Sequence, residues 1–281
     1  MKLSGVFSNF LAFASASRDP HAILENPQNA AKIPTSYESA VMGRRILALS
    51  KLADFSTVFP TSSHGDGHDA TEDRPGGLAG VPIGLMDYVA DCEDKGNPTI
   101  LAIKIATSFK NVEAGSNISL SMRWTPPFPP SRRISYFSRL TSLIPFYPKA
   151  ENESPYEALA GTDNTPDPVP YSAANLPRFS LVGYLEPIAP GPLEAVRLAT
   201  CFVSKHRDAK YWLPGNAIHT AEWARLVVTQ VYWVGGFGDR AYIGWIPIEE
   251  WKNVTEAEWK NVKLPGEKPG WNEWAIDATE L

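Results

Sequence analysis

Proline placement restricts this chain more than any other feature. Of its 25 prolines, eleven fall between residues 125 and 177. The ring fixes φ and removes a backbone donor, so no continuous helix or sheet crosses that stretch. It reads as an insertion in a folded body. The same abundance of proline, with 20 glycines, argues against a helical bundle and for strands and turns.

Either side of the insertion carries regular patterns. Thr35 and Glu38 form a capping-box pair, and Tyr37, Ala40, Val41, Leu47 and Ala48 recur at helical spacing, which predicts a helix over 37–50. Residues 55–59, 83–89, 100–106 and 118–124 read as strands, with 108–116 a short helix or a wide turn. In the last strand Leu120, Met122 and Trp124 share one face and Ser119, Ser121 and Arg123 the other. Beyond the insertion, 179–188 is a strand, a helix opens at Pro192 and Glu194 and runs to about 211, and 225–234 is the longest strand. Strands and helices do not alternate, so a doubly wound sheet is excluded. The expectation is α+β: an antiparallel sheet or barrel with flanking helices. Residues 34–255 form the domain, 17–33 an N-terminal tail, and 256–281 a C-terminal tail whose Trp271 and Trp274 dock on the body.

Composition narrows the partners. A formal charge of −5 lacks the basic face that nucleic acid demands, and no run of 18 apolar residues provides a membrane-spanning helix. Residues 1–16 have the shape of a secretory signal: Met1-Lys2, an apolar stretch over 3–14, then Ala14 and Ala16. Sequons at Asn117, Asn152 and Asn253 fit the same route. The only cysteines, Cys92 and Cys201, either pair in an oxidising compartment or stay as two buried thiols. Neither has a second Cys or a His at zinc-site spacing.

Chemistry-bearing motifs are sparse. His64, Asp66, His68 and Asp69 cluster in a glycine-rich loop too loose to preorganise a metal, and His206 and His219 stand alone. Nucleophile-elbow, phosphate-loop and dinucleotide motifs are missing. Gly235-Gly236-Phe237-Gly238 is a tight turn. Residues 132–146 mix Arg132, Arg133 and Arg139 with aromatics, as a loop packed on the domain or a basic amphipathic segment for a membrane or glycan surface. The run Thr107-Ser108-Phe109-Lys110-Asn111 follows a strand with two hydroxyls and an ammonium, groups that hold a phosphate.

That run also carries a resemblance. Residues 100–124 resemble the strand, phosphate turn, helix and strand of the pyridoxamine 5′-phosphate oxidase-like split barrels, which bind FMN. Within that superfamily the chain is most similar to the CREG family of secreted or endolysosomal glycoproteins, fungal proteins of this type included. The opening helix with 55–59, the segment Ile83-Gly84-Leu85-Met86-Asp87-Tyr88, and 209–251 with Lys210, Trp212, Trp223, Val231-Tyr232-Trp233 and Phe237-Gly238 extend the match.

The resemblance implies a six-stranded Greek-key split barrel, a homodimer, and Thr107, Ser108 and Lys110 at the FMN phosphate. Two departures matter. Gly80-Val81-Pro82-Ile83-Gly84 lacks the arginine that flavin-binding members carry, and Phe109 stands where the oxidases place another. CREG proteins keep the barrel with the flavin pocket blocked. The implied function is therefore a secreted or vacuolar-lysosomal glycoprotein that binds a protein or glycan without catalysis and without cofactor. An FMN-dependent oxidoreductase is the alternative.

Overall fold

The computed structural model describes residues 33–61, 75–128, 173–216, 220–238 and 241–268. The signal segment, the His64–Asp69 cluster, residues 132–146, Asn152, His219, Trp271 and Trp274 lie outside the described residues.

Helix α1 (Ser36–Leu49) begins where its cap predicts. The Glu38 amide donates to Thr35 Oγ1 at 3.1 Å and the Thr35 amide donates to the Glu38 carboxylate at 2.7 Å, so two otherwise orphaned donors are satisfied reciprocally. The helix buries Ala40, Ile46 and Leu47 against the sheet.

Among the described residues seven strands follow: β1 (Leu52–Val58), β2 (Pro82–Tyr88), β3 (Thr99–Ile103), β4 (Ile118–Arg123), β5 (Arg178–Pro187), β6 (Ala221–Val234) and β7 (Ile243–Ile246). Every pairing is antiparallel. Six of them run in the order β2-β1-β4-β5-β6-β3, and β7 adds a third partner to β6. This is the antiparallel α+β split-barrel sheet expected from the sequence, with one short strand more.

Register separates the two faces. Phe55, Leu120, Leu181, Val231 and Ile246 stand opposite one another in sequence across five strands, and all are buried. One residue along, Met86, Asp54, Ser121, Ser180, Tyr232 and Trp245 form the neighbouring row on the outer face. A slip of one position would exchange these rows, so burial fixes the register. Between Val182 and Gly183 the ladder is bulged. A Cβ on Gly183 would stand 2.0 Å from the Val227 carbonyl oxygen, so only glycine lets the two backbones approach there.

Among the described residues two clusters form the core. The larger packs the inner sheet face against α1 and α4 (Ile248–Asn253), around Phe55, Trp233 and Trp251. The smaller lies under α3 (Pro192–Lys205), where Leu198, Phe202 and Trp223 meet.

Several boundaries differ from expectation. The ambiguous segment is helical, α2 (Thr107–Glu113). The strand predicted over 100–106 ends at Ile103. The helix predicted to reach 211 stops at Lys205, and Arg207–Tyr211 continues as a 3-10 turn. His206 causes the break: its ring stacks on Tyr88 at 4.5 Å and its Nε2 lies 2.9 Å from the Val89 carbonyl. Within the segment expected as a C-terminal tail, residues 256–261 form α5 (Glu256–Asn261), capped by Thr255 and Glu258 as α1 is by Thr35 and Glu38.

Candidate functional site

The hydroxyl-and-ammonium turn lies at the junction of β3 and α2. Thr107 opens the helix after Ala106, which offers no side-chain cap. The amides of Phe109 and Lys110 both donate to the Ala106 carbonyl at 3.1 Å. Ser108 is only 3% exposed. Phe109 is buried edge-on to Phe55, with ring centroids 6.0 Å apart. Asn111 also turns inward, its Nδ2 donating to Thr57 Oγ1 at 3.1 Å while its Oδ1 is buried with no partner. Lys110 is half-buried. Thr107, Ser108 and Lys110 therefore share one turn, but the serine faces the core.

Strand β2 passes from Pro82 to Tyr88 without a basic residue. A dianionic phosphate needs charge-assisted donors, each contributing about 1.5–3 kcal/mol. The turn offers one ammonium, and two of its amides already bond to a carbonyl. Residues 235–238 join β6 toward β7, with the Gly235 amide donating to the Tyr242 carbonyl at 3.0 Å, as expected for a tight turn.

A second constellation escaped sequence reasoning. The connection from β2 to β3 is held at nearly every residue. Cys92 is joined to Cys201 of α3, with Cα atoms 5.8 Å apart, and Arg197 Nη1 donates to the Cys92 carbonyl at 2.9 Å. Arg225 grips Glu93 through two bonds of 2.7 Å. Trp259 Nε1 donates to Asp94 Oδ1 at 3.2 Å, Trp251 Nε1 to the Gly96 carbonyl at 3.0 Å, and the Val228 amide to Asn97 Oδ1 at 3.0 Å. Beneath them Arg44 of α1, fully buried, donates to the carbonyls of Trp251 and Val254 at 3.2 and 3.4 Å and faces Asp91 and Asp94. One loop thus fastens α1, α3, α4, α5 and β6 together. Glycine is needed at 96, where φ is +74° and a Cβ would meet Trp251 Nε1 at 2.6 Å.

Sequons Asn117 and Asn253 are exposed, before β4 and at the end of α4. Among the described residues no group of three or more His, Cys, Asp or Glu is placed to hold a metal. No described helix is long and apolar enough to cross a membrane.

A family model described as CREG, beta-barrel matches residues 34–253. No curated protein matches. Among solved structures, the chain is similar to a heme binding protein from Mycobacterium smegmatis, at 18% identity over 79% of this chain and 61% of that one, with a TM-score of 0.43. It is similar to the protein Atu2129 of unknown function from Agrobacterium tumefaciens str. C58, at 18% identity over 82% of this chain and 64% of that one, TM-score 0.42. A third is the flavocytochrome Anf3 from Azotobacter vinelandii, at 16% identity over 80% and 82%, TM-score 0.38. The chain spans less than two thirds of the length of the first two. With 34–253 matched, most of its length is accounted for, and the chain belongs to the CREG beta-barrel family.

Proposed function

We propose that this chain is a glycoprotein of the secretory pathway, secreted or vacuolar-lysosomal, that acts as a homodimer by binding a protein or glycan and catalyses nothing. The observation that carries this reading is the state of the phosphate turn. Ser108 is 3% exposed, the Phe109 and Lys110 amides bond to Ala106, and β2 brings no cation. Two missing guanidinium groups at a dianion, at about 1.5–3 kcal/mol each, cost several decades of affinity. The groups left behind do not fit FMN, and no step is derived through it.

The secretory part of the proposal rests on residues 1–16, on the exposed sequons Asn117 and Asn253 and on the Cys92–Cys201 link. The homodimer rests on the family resemblance.

An FMN-dependent oxidoreductase is the competing reading, and it is favoured by Thr107, Ser108 and Lys110 lying together at one turn. FMN titration followed by thermal shift and flavin fluorescence separates the two. The proposal expects no shift. Saturable binding of one FMN per chain that Lys110→Ala abolishes would overturn it.

A further inference from the structure

The outer face of the sheet carries an aromatic pair and an arginine pair close together. Tyr232 of β6 and Trp245 of β7 are direct partners in register and are 39 and 56% exposed. Their rings meet edge to face with centroids 5.1 Å apart. The Tyr242 hydroxyl donates to the Trp245 carbonyl at 2.7 Å, which pins the backbone beneath the indole. Large aromatics left in water on a rigid sheet mark a contact surface. Arg123 of β4 and Arg178 of β5 are direct partners on the same face, and both are exposed. Like charges so placed repel. Arg178 Nη1 donates to the Ala173 carbonyl at 3.4 Å, and neither guanidinium has a carboxylate partner among the described residues. Asp54 of β1 lies one register row away, opposite Ser121. Two guanidinium groups against that one carboxylate leave this part of the face short of an anion.

Hydroxyls join the two pairs. Ser121 and Ser180 are opposite each other with Oγ atoms 3.0 Å apart, and Ser180 is the direct partner of Tyr232. One register row therefore reads Ser121, Ser180, Tyr232, Trp245. It crosses three strand spacings, about 15 Å, and the arginines stand about 7 Å along the strands from its hydroxyl end. Strands β4, β5 and β6 are each paired on both sides here, so a peptide cannot add to them as a further strand. Side chains alone make this surface. A sugar with an acidic substituent matches it: guanidinium forks take the anion, serine hydroxyls meet ring hydroxyls, and the flat C–H side of a ring covers an exposed indole. We propose that this face binds an acidic saccharide, its sulfate, phosphate or carboxylate held by Arg123 and Arg178 and its ring stacked on Tyr232 and Trp245. The proposal rests on the binding reading above and names its surface and ligand class.

Calorimetric titration of the full chain with a chondroitin 4-sulfate disaccharide, beside lactose and sodium sulfate, tests it. The expected result is saturable binding of one disaccharide per chain, with lactose and sulfate each at least about tenfold weaker. Arg178→Gln and Trp245→Ala are exposed changes whose folding circular dichroism checks. Each should weaken the disaccharide about tenfold, and Trp245→Ala should leave the affinity for sulfate unchanged. Sulfate binding as tightly as the disaccharide, or either substitution leaving disaccharide affinity intact, would overturn the proposal. So would a complete lack of binding, with gel filtration of Trp245→Ala then reporting whether a second copy occupies the face. FMN titration of the same sample reads the non-flavin reading separately, so a chain that takes neither ligand loses this site alone.

Discussion

The guanidinium of Arg44 and the carboxylate of Asp91 face each other at 3.8 Å, with side chains 0 and 2% exposed. That separation is too long for a hydrogen bond, and both Asp91 oxygens are buried without a hydrogen-bond partner among the described residues. Burial pushes the Asp91 carboxyl from 3.8 up to about 6, Asp94 adds to the rise, and Arg44 and Lys205 oppose it. Burial likewise lowers the Arg44 and Lys205 values.

This pair makes stability depend on pH. A carboxyl raised in the folded state binds its proton more tightly there than in the unfolded chain. Stability therefore rises as pH falls through about 6 and levels off near the unfolded value of 3.8. His206, lowered by burial, acts in the opposite sense, because its unfolded form takes up a proton first. Comparing the wild type with Asp91→Asn cancels the histidine. Between pH 7 and pH 5 the urea-derived difference should move in favour of the wild type by about 1 kcal/mol. Parallel curves would contradict the assignment.

Breaking the pair from the other side costs more. Arg44→Met leaves Asp91 as a buried, unpaired carboxylate and should destabilise by about 3–5 kcal/mol at pH 7. Adding Asp91→Asn should recover about 2 kcal/mol of that, a coupling that a double-mutant cycle reads directly. Additive costs would mean that the two residues do not interact.

The Cys92–Cys201 link closes a separation of 109 residues. Replacing both cysteines by serine should lower unfolding free energy by about 4–5 kcal/mol in the chain-entropy model. Chemical denaturation measures this. An unchanged midpoint would show that the other anchors of the loop suffice.

Gly96→Ala tests the close packing of the same loop. The alanine must hold φ near +74° and push its Cβ against Trp251 and Arg44, at about 2–3 kcal/mol. Gly77, with φ +86° but nothing within 4 Å, should lose only about 1 kcal/mol on the same change. Equal losses at the two positions would remove packing as the cause.

Local signals carried most of the fold. Thr35 with Glu38 located α1, and the alternation from Ile118 to Trp124 named the buried face of β4. Strand β7 was missed because four residues, one of them Gly244 with φ +156°, give no periodicity. Helix α5 has a readable cap in Thr255 and Glu258, but its six residues are too few for an apolar periodicity to mark it within the expected tail. The end of α3 was illegible, since His206 stops it through contacts with Tyr88 and Val89, which only tertiary structure supplies.

The candidate site was half legible. Residue types marked Thr107, Ser108 and Lys110, but no sequence pattern reveals that Ser108 turns inward. The Arg44–Asp91 pair was hidden for a related reason. A charge on an amphipathic helix reads as solvated, and the two partners lie far apart along the chain.

The most direct measurement is the visible absorption spectrum of the native protein, purified from a secreting eukaryotic host without added cofactor. The account predicts no flavin bands. One FMN per chain, retained through gel filtration and lost in Lys110→Ala, would contradict it.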